Sequence, residues 1–228
     1  MSRTLNVVRM QFVNKQTYIW VPLLVLVGAF VLTLMVFALI PYDGVKTGGG
    51  TMAPLWYFLV VGVQSLTLTF PFSQAMSVTR REFYLGTLLA ATCTSAMLAV
   101  IFVIGGLIEQ ATNGWGMNGF FFYLEGLWAA GPLGALFSFF VISMLFFIAG
   151  FWSATIFKRF GTLWLTAVLV ALGLVIVGII WLAGRLDAWA QIGEWIAAQG
   201  SLGLTLWGVL LGVILAGVSF LTLRRAIP

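Results

Sequence analysis

Six stretches of uncharged, mostly apolar residues follow one another along the chain: Tyr18–Ile40, Pro54–Met76, Gly86–Ile108, Leu133–Phe157, Gly161–Ala183 and Ser201–Leu223. None contains Asp, Glu, Lys or Arg. Each is long enough, at about 1.5 Å per helical residue, to cross a hydrocarbon core of ~30 Å. The pattern predicts an all-α polytopic membrane protein with six transmembrane helices. Residues 1–228 then form one membrane domain, with residues 1–17 as an inner interfacial segment and 18–225 as a six-helix bundle.

The polar residues between the runs set the expected orientation. Arg3, Arg9 and Lys15 precede the first run. Arg80 and Arg81 follow the second, Lys158 and Arg159 the fourth, Arg224 and Arg225 the sixth. These are nine of the eleven bases; the other alternate segments hold only Lys46 and Arg185, beside five of the six acids, Asp43, Glu109, Glu125, Asp187 and Glu194. Basic loops stay on the cytoplasmic side, so the N-terminus and the C-terminus are both expected there. The first run is too long for a signal-peptide core and lacks a small-residue cleavage pattern, so it reads as a retained span.

Composition narrows the chemistry. Charged residues are 7% and apolar residues 62% of the chain, too little charge for a soluble domain of this size. The net charge of +5 sits at helix ends rather than in one patch, which excludes nucleic acid as the partner and leaves the lipid bilayer. No histidine is present, and the single Cys93 offers neither a disulfide nor a metal spacing, so no metal site and no catalytic residue are expected. Cys93 itself reads as a packed, inert thiol. Gly48-Gly49-Gly50 lacks the following Lys-Ser or Lys-Thr of a phosphate loop and reads as a flexible outer turn. With no ionisable group in any run and no nucleotide motif, uphill movement of a solute needs energy from another polypeptide.

Three flanking segments carry amphipathic patterns. In Ser2–Gln16, Leu5, Val8 and Phe12 share a helical stripe, with Arg3, Met10 and Asn14 roughly opposite. Such a helix lies in the inner interface, unless the segment is an ordinary basic tail. The outer stretch Asp187–Gln199 places Trp189, Ile192, Trp195 and Ile196 on one face, as in a helix at the outer interface. The aromatic approach to the fourth span, Phe120 to Trp128, is expected to lie flat in that interface as well.

Polar residues inside the spans are the candidate chemistry. Gln64, Thr67, Pro71 and Gln74 fall at i, i+3, i+7 and i+10 of the second span, hence on one face, and Pro71 is expected to kink the helix. That face must meet protein or water. It reads either as the wall of a translocation route or subunit seam, or as hydrogen bonding within one bundle. In the sixth span Thr205, Gly208, Gly212, Ala216 and Ser219 form a small-residue face suited to helix packing. In the loop Ser77–Gly86, Thr79 and Glu82 have the spacing of a capping box, which predicts a short helical turn presenting Arg80, Arg81 and Glu82 at the inner face. The same residues also serve as a positive-inside anchor.

Six spans, both ends inside, a basic segment before the first span and the Thr79-Arg80-Arg81-Glu82-Phe83-Tyr84-Leu85-Gly86 loop after the second resemble the small ABC-2-type permeases of bacterial ABC transporters. The resemblance covers nearly the whole chain in architecture and only about Met76–Gly86 in motif. It implies a coupling element at Arg80, Arg81, Glu82 and Phe83 that docks on a separate ABC ATP-binding subunit, and a second inner contact at Lys158 and Arg159. It also implies a second permease copy or paralogue, ATP and Mg carried by the partner subunit, no cofactor or enzymatic activity in this chain, and export across the bacterial cell membrane. The large outer domain of some relatives of this superfamily is absent. An apolar lining with hydroxyl and amide groups suits an amphipathic or hydrophobic cargo. Passive channel or carrier, and membrane scaffold subunit of another complex, are the alternatives.

Overall fold

The computed structural model describes residues 3–13, 15–42 and 44–224. Ser2, Asn14, Asp43, Arg225 and the Arg3 side chain, used in the sequence reading, lie outside them. The chain forms α1 (Arg3–Val13), a π-helical turn Gln16–Trp20 leading into α2 (Val21–Leu39), α3 (Met52–Thr67), α4 (Thr69–Ala75), α5 (Arg80–Ala111), a short α6 (Glu125–Trp128), α7 (Gly131–Phe160), α8 (Thr162–Arg185) and α9 (Trp189–Leu223). Among the described residues, six helical stretches are long and apolar enough to cross a membrane. In lipid a backbone satisfies its hydrogen bonds only within a helix or a closed barrel, so apolar runs of this length fold as helices.

The helix ends follow local chemistry. Pro22 and Pro132 occupy first-turn positions of α2 and α7, where a missing N–H costs nothing. Gly161, at φ 85°, is the single residue between α7 and α8. A break at Leu68 separates α3 from α4 three residues before Pro71, whose ring removes the bond to the Thr67 carbonyl. Gly200, at φ 60° and ψ −177°, interrupts α9 and divides 189–199 from 201–223. Along 189–199, Trp189, Trp195 and Ile196 are exposed.

Helix α7 is the hub, packed against α3, α5 and α9. Where α3 meets α7 the backbones touch. A Cβ on Gly62 would overlap the Phe147 carbonyl oxygen, and one on Gly150 would overlap the Leu59 carbonyl oxygen. Without a hydrophobic drive between helices in lipid, such close approach supplies the dispersion contacts that hold them. Between α7 and α9, Ser138 and Thr205 hydroxyls meet at 2.7 Å and Thr155 and Thr222 at 3.2 Å. Helix α8 differs from the rest: Ala183 is its one buried residue, Leu165 and Val168 are half-buried, and its apolar surface is otherwise exposed.

Four expectations are corrected. The buried face of helix α1 is not centred on the Leu5, Val8, Phe12 stripe, of which Val8 and Phe12 are partly buried against the core. Val7 and Gln11 are buried, against α5, while Leu5 is exposed. The aromatic segment before the fourth span does not lie flat. Phe121, Phe122 and Trp128 are buried inside the bundle. Cys93 is exposed rather than packed. The bundle interior is not free of titratable groups, because Glu109 is fully buried. Gly48 to Gly50 is part of a defined corner: Lys46–Thr47 pairs in parallel with Gly119–Phe120, and Gly49–Thr51 forms a 3-10 turn.

Candidate functional site

The two ends of the bundle have opposite chemistry. At one end Arg80, Arg81, Arg159 and Arg224 gather around the last turn of α9. Thr79 caps α5 as a capping box: its hydroxyl accepts from the Glu82 amide at 3.2 Å, and Glu82 Oε2 accepts from the Thr79 amide at 3.0 Å. The cap begins the long α5 directly, so Arg80, Arg81, Glu82 and Phe83 form its first turn rather than a separate projecting helix. Arg81 is exposed. Arg80 turns sideways, donating to the Arg224 carbonyl. Phe83 is fully buried, 5.2 Å from the Phe70 ring, and offers no surface to a partner. Lys158 and Arg159 close the last turn of α7, with the Arg159 guanidinium 4.4 Å from the Phe160 ring centre.

A polar hub missed in the sequence ties this end together. Gln11 is fully buried. Its Nε2 donates to Thr87 Oγ1 at 2.9 Å, and its Oε1 accepts from Tyr18 at 2.8 Å and Thr69 at 3.2 Å. One amide thus joins α1, the start of the first span, α4 and α5. A buried polar group is costly unless paired, and this one has three partners. Val7 and Gln11 at i, i+4 was the available signal; the apolar stripe beside it was the stronger one.

The proposed polar face of the second span is split by the break at Leu68. Gln64 and Thr67 end α3; Pro71 and Gln74 belong to α4. Gln64, Thr67 and Gln74 are half-buried and Pro71 is exposed, while Ser65, Leu66, Phe70 and Ser73 face the core. The Thr67 hydroxyl donates to Val63 O at 3.0 Å, and Gln74 Nε2 donates to Val78 O at 3.2 Å. Both groups therefore serve their own helix and its exit, while Gln64 is half-buried. Gly208 and Gly212 lie against Val141 and Leu145 of α7, and the Ala216 carbonyl accepts from Tyr84 at 2.7 Å.

The opposite end is organised by Glu109. Oε1 accepts from Trp115 Nε1 and the Phe121 amide, both at 3.0 Å; Oε2 accepts from the Phe122 and Tyr123 amides, both at 2.8 Å. Three consecutive backbone N–H groups and one indole thus replace water around a carboxylate, the arrangement of an anion nest. The rings carried by this loop fill the space below. Phe122 sits 5.3 Å from Phe102 and 5.2 Å from Phe30, over Gly105, which lacks the side chain that would block it. Trp128 covers Gly106 in the same way and donates to Phe122 O at 3.2 Å. Sequence reading placed Glu109 among loop acids because it falls one residue beyond an apolar run.

No protein-family model, curated protein or solved structure matches the chain. Among the described residues no group of three or more Cys, Asp or Glu is placed to hold a metal ion. What the arrangement offers is mechanical: a rigid hub at α7, a strapped cap at one end, a basic rim at the other, and an uncovered flank along α8.

Proposed function

We propose that the chain is the permease subunit of an ATP-driven exporter of the ABC-2 type, powered by a separate ATP-binding subunit. The observation that carries the reading is the joining of elements at the basic end. The Thr79–Glu82 cap fuses the first turn of α5 to the third span, and the Gln11 hub ties α1 to that span one turn further on. A push on the Arg80–Glu82 turn therefore moves the whole of α5 together with α1, and through packing moves α7. That is the behaviour required of a coupling element, with Lys158 and Arg159 as a second contact. The positive-inside distribution supports a cytoplasmic position for this end and both termini, and the resemblance to ABC-2 permeases supports the bacterial cell membrane.

The uncovered α8 and the half-buried Gln64 support a second permease copy as neighbour, with the route between the two. A lining of apolar residues with a few amides and hydroxyls favours an amphipathic or hydrophobic cargo. ATP and Mg belong to the partner, and this chain performs no catalysis.

The test is gentle solubilisation from its native membrane followed by reconstitution in nanodiscs with the co-purifying ATPase. The expected result is a nucleotide-binding partner whose ATPase activity is stimulated by amphipathic compounds. Replacing Arg80, Arg81 and Glu82 with Ala should abolish the stimulation while leaving the permease folded. Recovery of no nucleotide-binding protein, with solute flux through the isolated chain, would instead support a passive channel or carrier. Binding to a different complex with no flux would support a scaffold.

A further inference from the structure

The arginines at the basic end are arranged as more than a topological anchor. Arg80, Arg81, Arg224 and Phe220 enclose an open-sided hollow of about 670 Å³ between the start of α5 and the end of α9. Arg81 and Phe220 are shared with a second, largely apolar hollow of about 290 Å³ that continues along Tyr84, Leu85, Ala216 and Gly217. On the other side of α9, Arg224 is shared with a third hollow of about 480 Å³ reaching Arg159. No carboxylate lines any of the three among the described residues.

Charge and shape change together along this path. Four guanidinium groups surround the end of α9, a concentration of positive charge that favours an anion there. From there the walls become apolar along α9 from Arg224 back to Ala216, a rise of about 12 Å into the bilayer. Gly217 lies exposed at the groove's edge, where an added side chain would meet nothing within 4 Å. Its floor is rigid, because Tyr84 donates to the Ala216 carbonyl and its ring lies 5.2 Å from Phe220. A soluble anion would use the arginines and ignore the groove. A neutral lipid would use the groove and ignore the arginines.

We propose that this basic rim and its apolar groove form a site for one anionic phospholipid, with the phosphate among Arg81, Arg80 and Arg224 and an acyl chain along Tyr84, Ala216 and Gly217. Arginine suits the role because its planar fork donates two parallel bonds to phosphate oxygens. The lipid bridges α5 to α9, adding to the bonds from Arg80 to the Arg224 carbonyl and from Tyr84 to the Ala216 carbonyl. The site shares Arg80 and Arg81 with the proposed coupling turn but needs no ATPase partner, so its test uses this chain alone.

The test uses the full chain alone, delipidated in a neutral detergent and titrated with phosphatidylglycerol, phosphatidylcholine or glycerophosphate. Native mass spectrometry counts bound lipid, and thermal unfolding gives the stabilisation. Phosphatidylglycerol is expected to bind at one site and raise the unfolding temperature, with phosphatidylcholine and glycerophosphate much weaker. At roughly five-fold per surface arginine, the double variant Arg81→Gln/Arg224→Gln should bind phosphatidylglycerol about 25-fold more weakly. Gly217→Leu adds bulk at the groove's edge, keeps every charge, and should also weaken binding. The variants' unchanged circular dichroism keeps loss of binding separate from loss of fold. Equal binding of phosphatidylcholine, equal competition by glycerophosphate, or unaltered binding in either folded variant would overturn the proposal.

Discussion

Replacing Glu109 with Gln tests whether one carboxylate holds the cap of the bundle. Each of its two oxygens accepts two hydrogen bonds. Gln keeps one acceptor oxygen and substitutes an amide NH2 for the other, so two loop donors face a donor instead of an acceptor. A buried donor left without a partner costs about 1–3 kcal/mol, which sets the expected loss at about 2–6 kcal/mol. The loss should be local. The α3–α7 and α7–α9 seams lie outside the loop and keep their packing. Hydrogen exchange reads the effect at the amides concerned: Phe121, Phe122 and Tyr123 should lose protection by about 30-fold to above 10,000-fold, as 1.4 kcal/mol is a factor of ten. Trp115, whose indole loses its acceptor in one of the two amide orientations, gives an independent fluorescence signal. Exchange at all three amides within three-fold of the unsubstituted protein would refute the reasoning, because the carboxylate would then be a spectator.

Two further substitutions probe the joints of the bundle. Gly150→Ala places a methyl where the Leu59 carbonyl oxygen lies and should destabilise the α3–α7 pair by about 1–3 kcal/mol or more, seen as faster unfolding in SDS; an unchanged rate would contradict the backbone contact. Gln11→Leu keeps the approximate volume but strips Tyr18, Thr69 and Thr87 of their shared partner, and should lower stability by about 1–3 kcal/mol. Proteolysis should then cut near α1 sooner than in the unsubstituted chain, and equal rates would remove the amide from the joint.

Length and composition of the apolar runs were enough to give six spans, because the cost of leaving a backbone unpaired or a charge unscreened in hydrocarbon is paid residue by residue and is visible locally. The break near Pro71 and the cap formed by Thr79 and Glu82 were legible for the same reason: proline's missing N–H and a hydroxyl three residues from a carboxylate act within one turn. What tertiary structure alone decided is which polar groups meet. Gln11 and Thr87 are 76 residues apart and Arg80 and Arg224 are 144 apart, so no local period could pair them. Glu109 had the sequence signature of a solvated loop acid. Its burial depends on Gly105 and Gly106 leaving room for the Phe122 and Trp128 rings, and on amides 12 to 14 residues further on folding back to it. Hydrophobicity fixes where a segment goes relative to the membrane; only close packing fixes which face of it is covered, and by what.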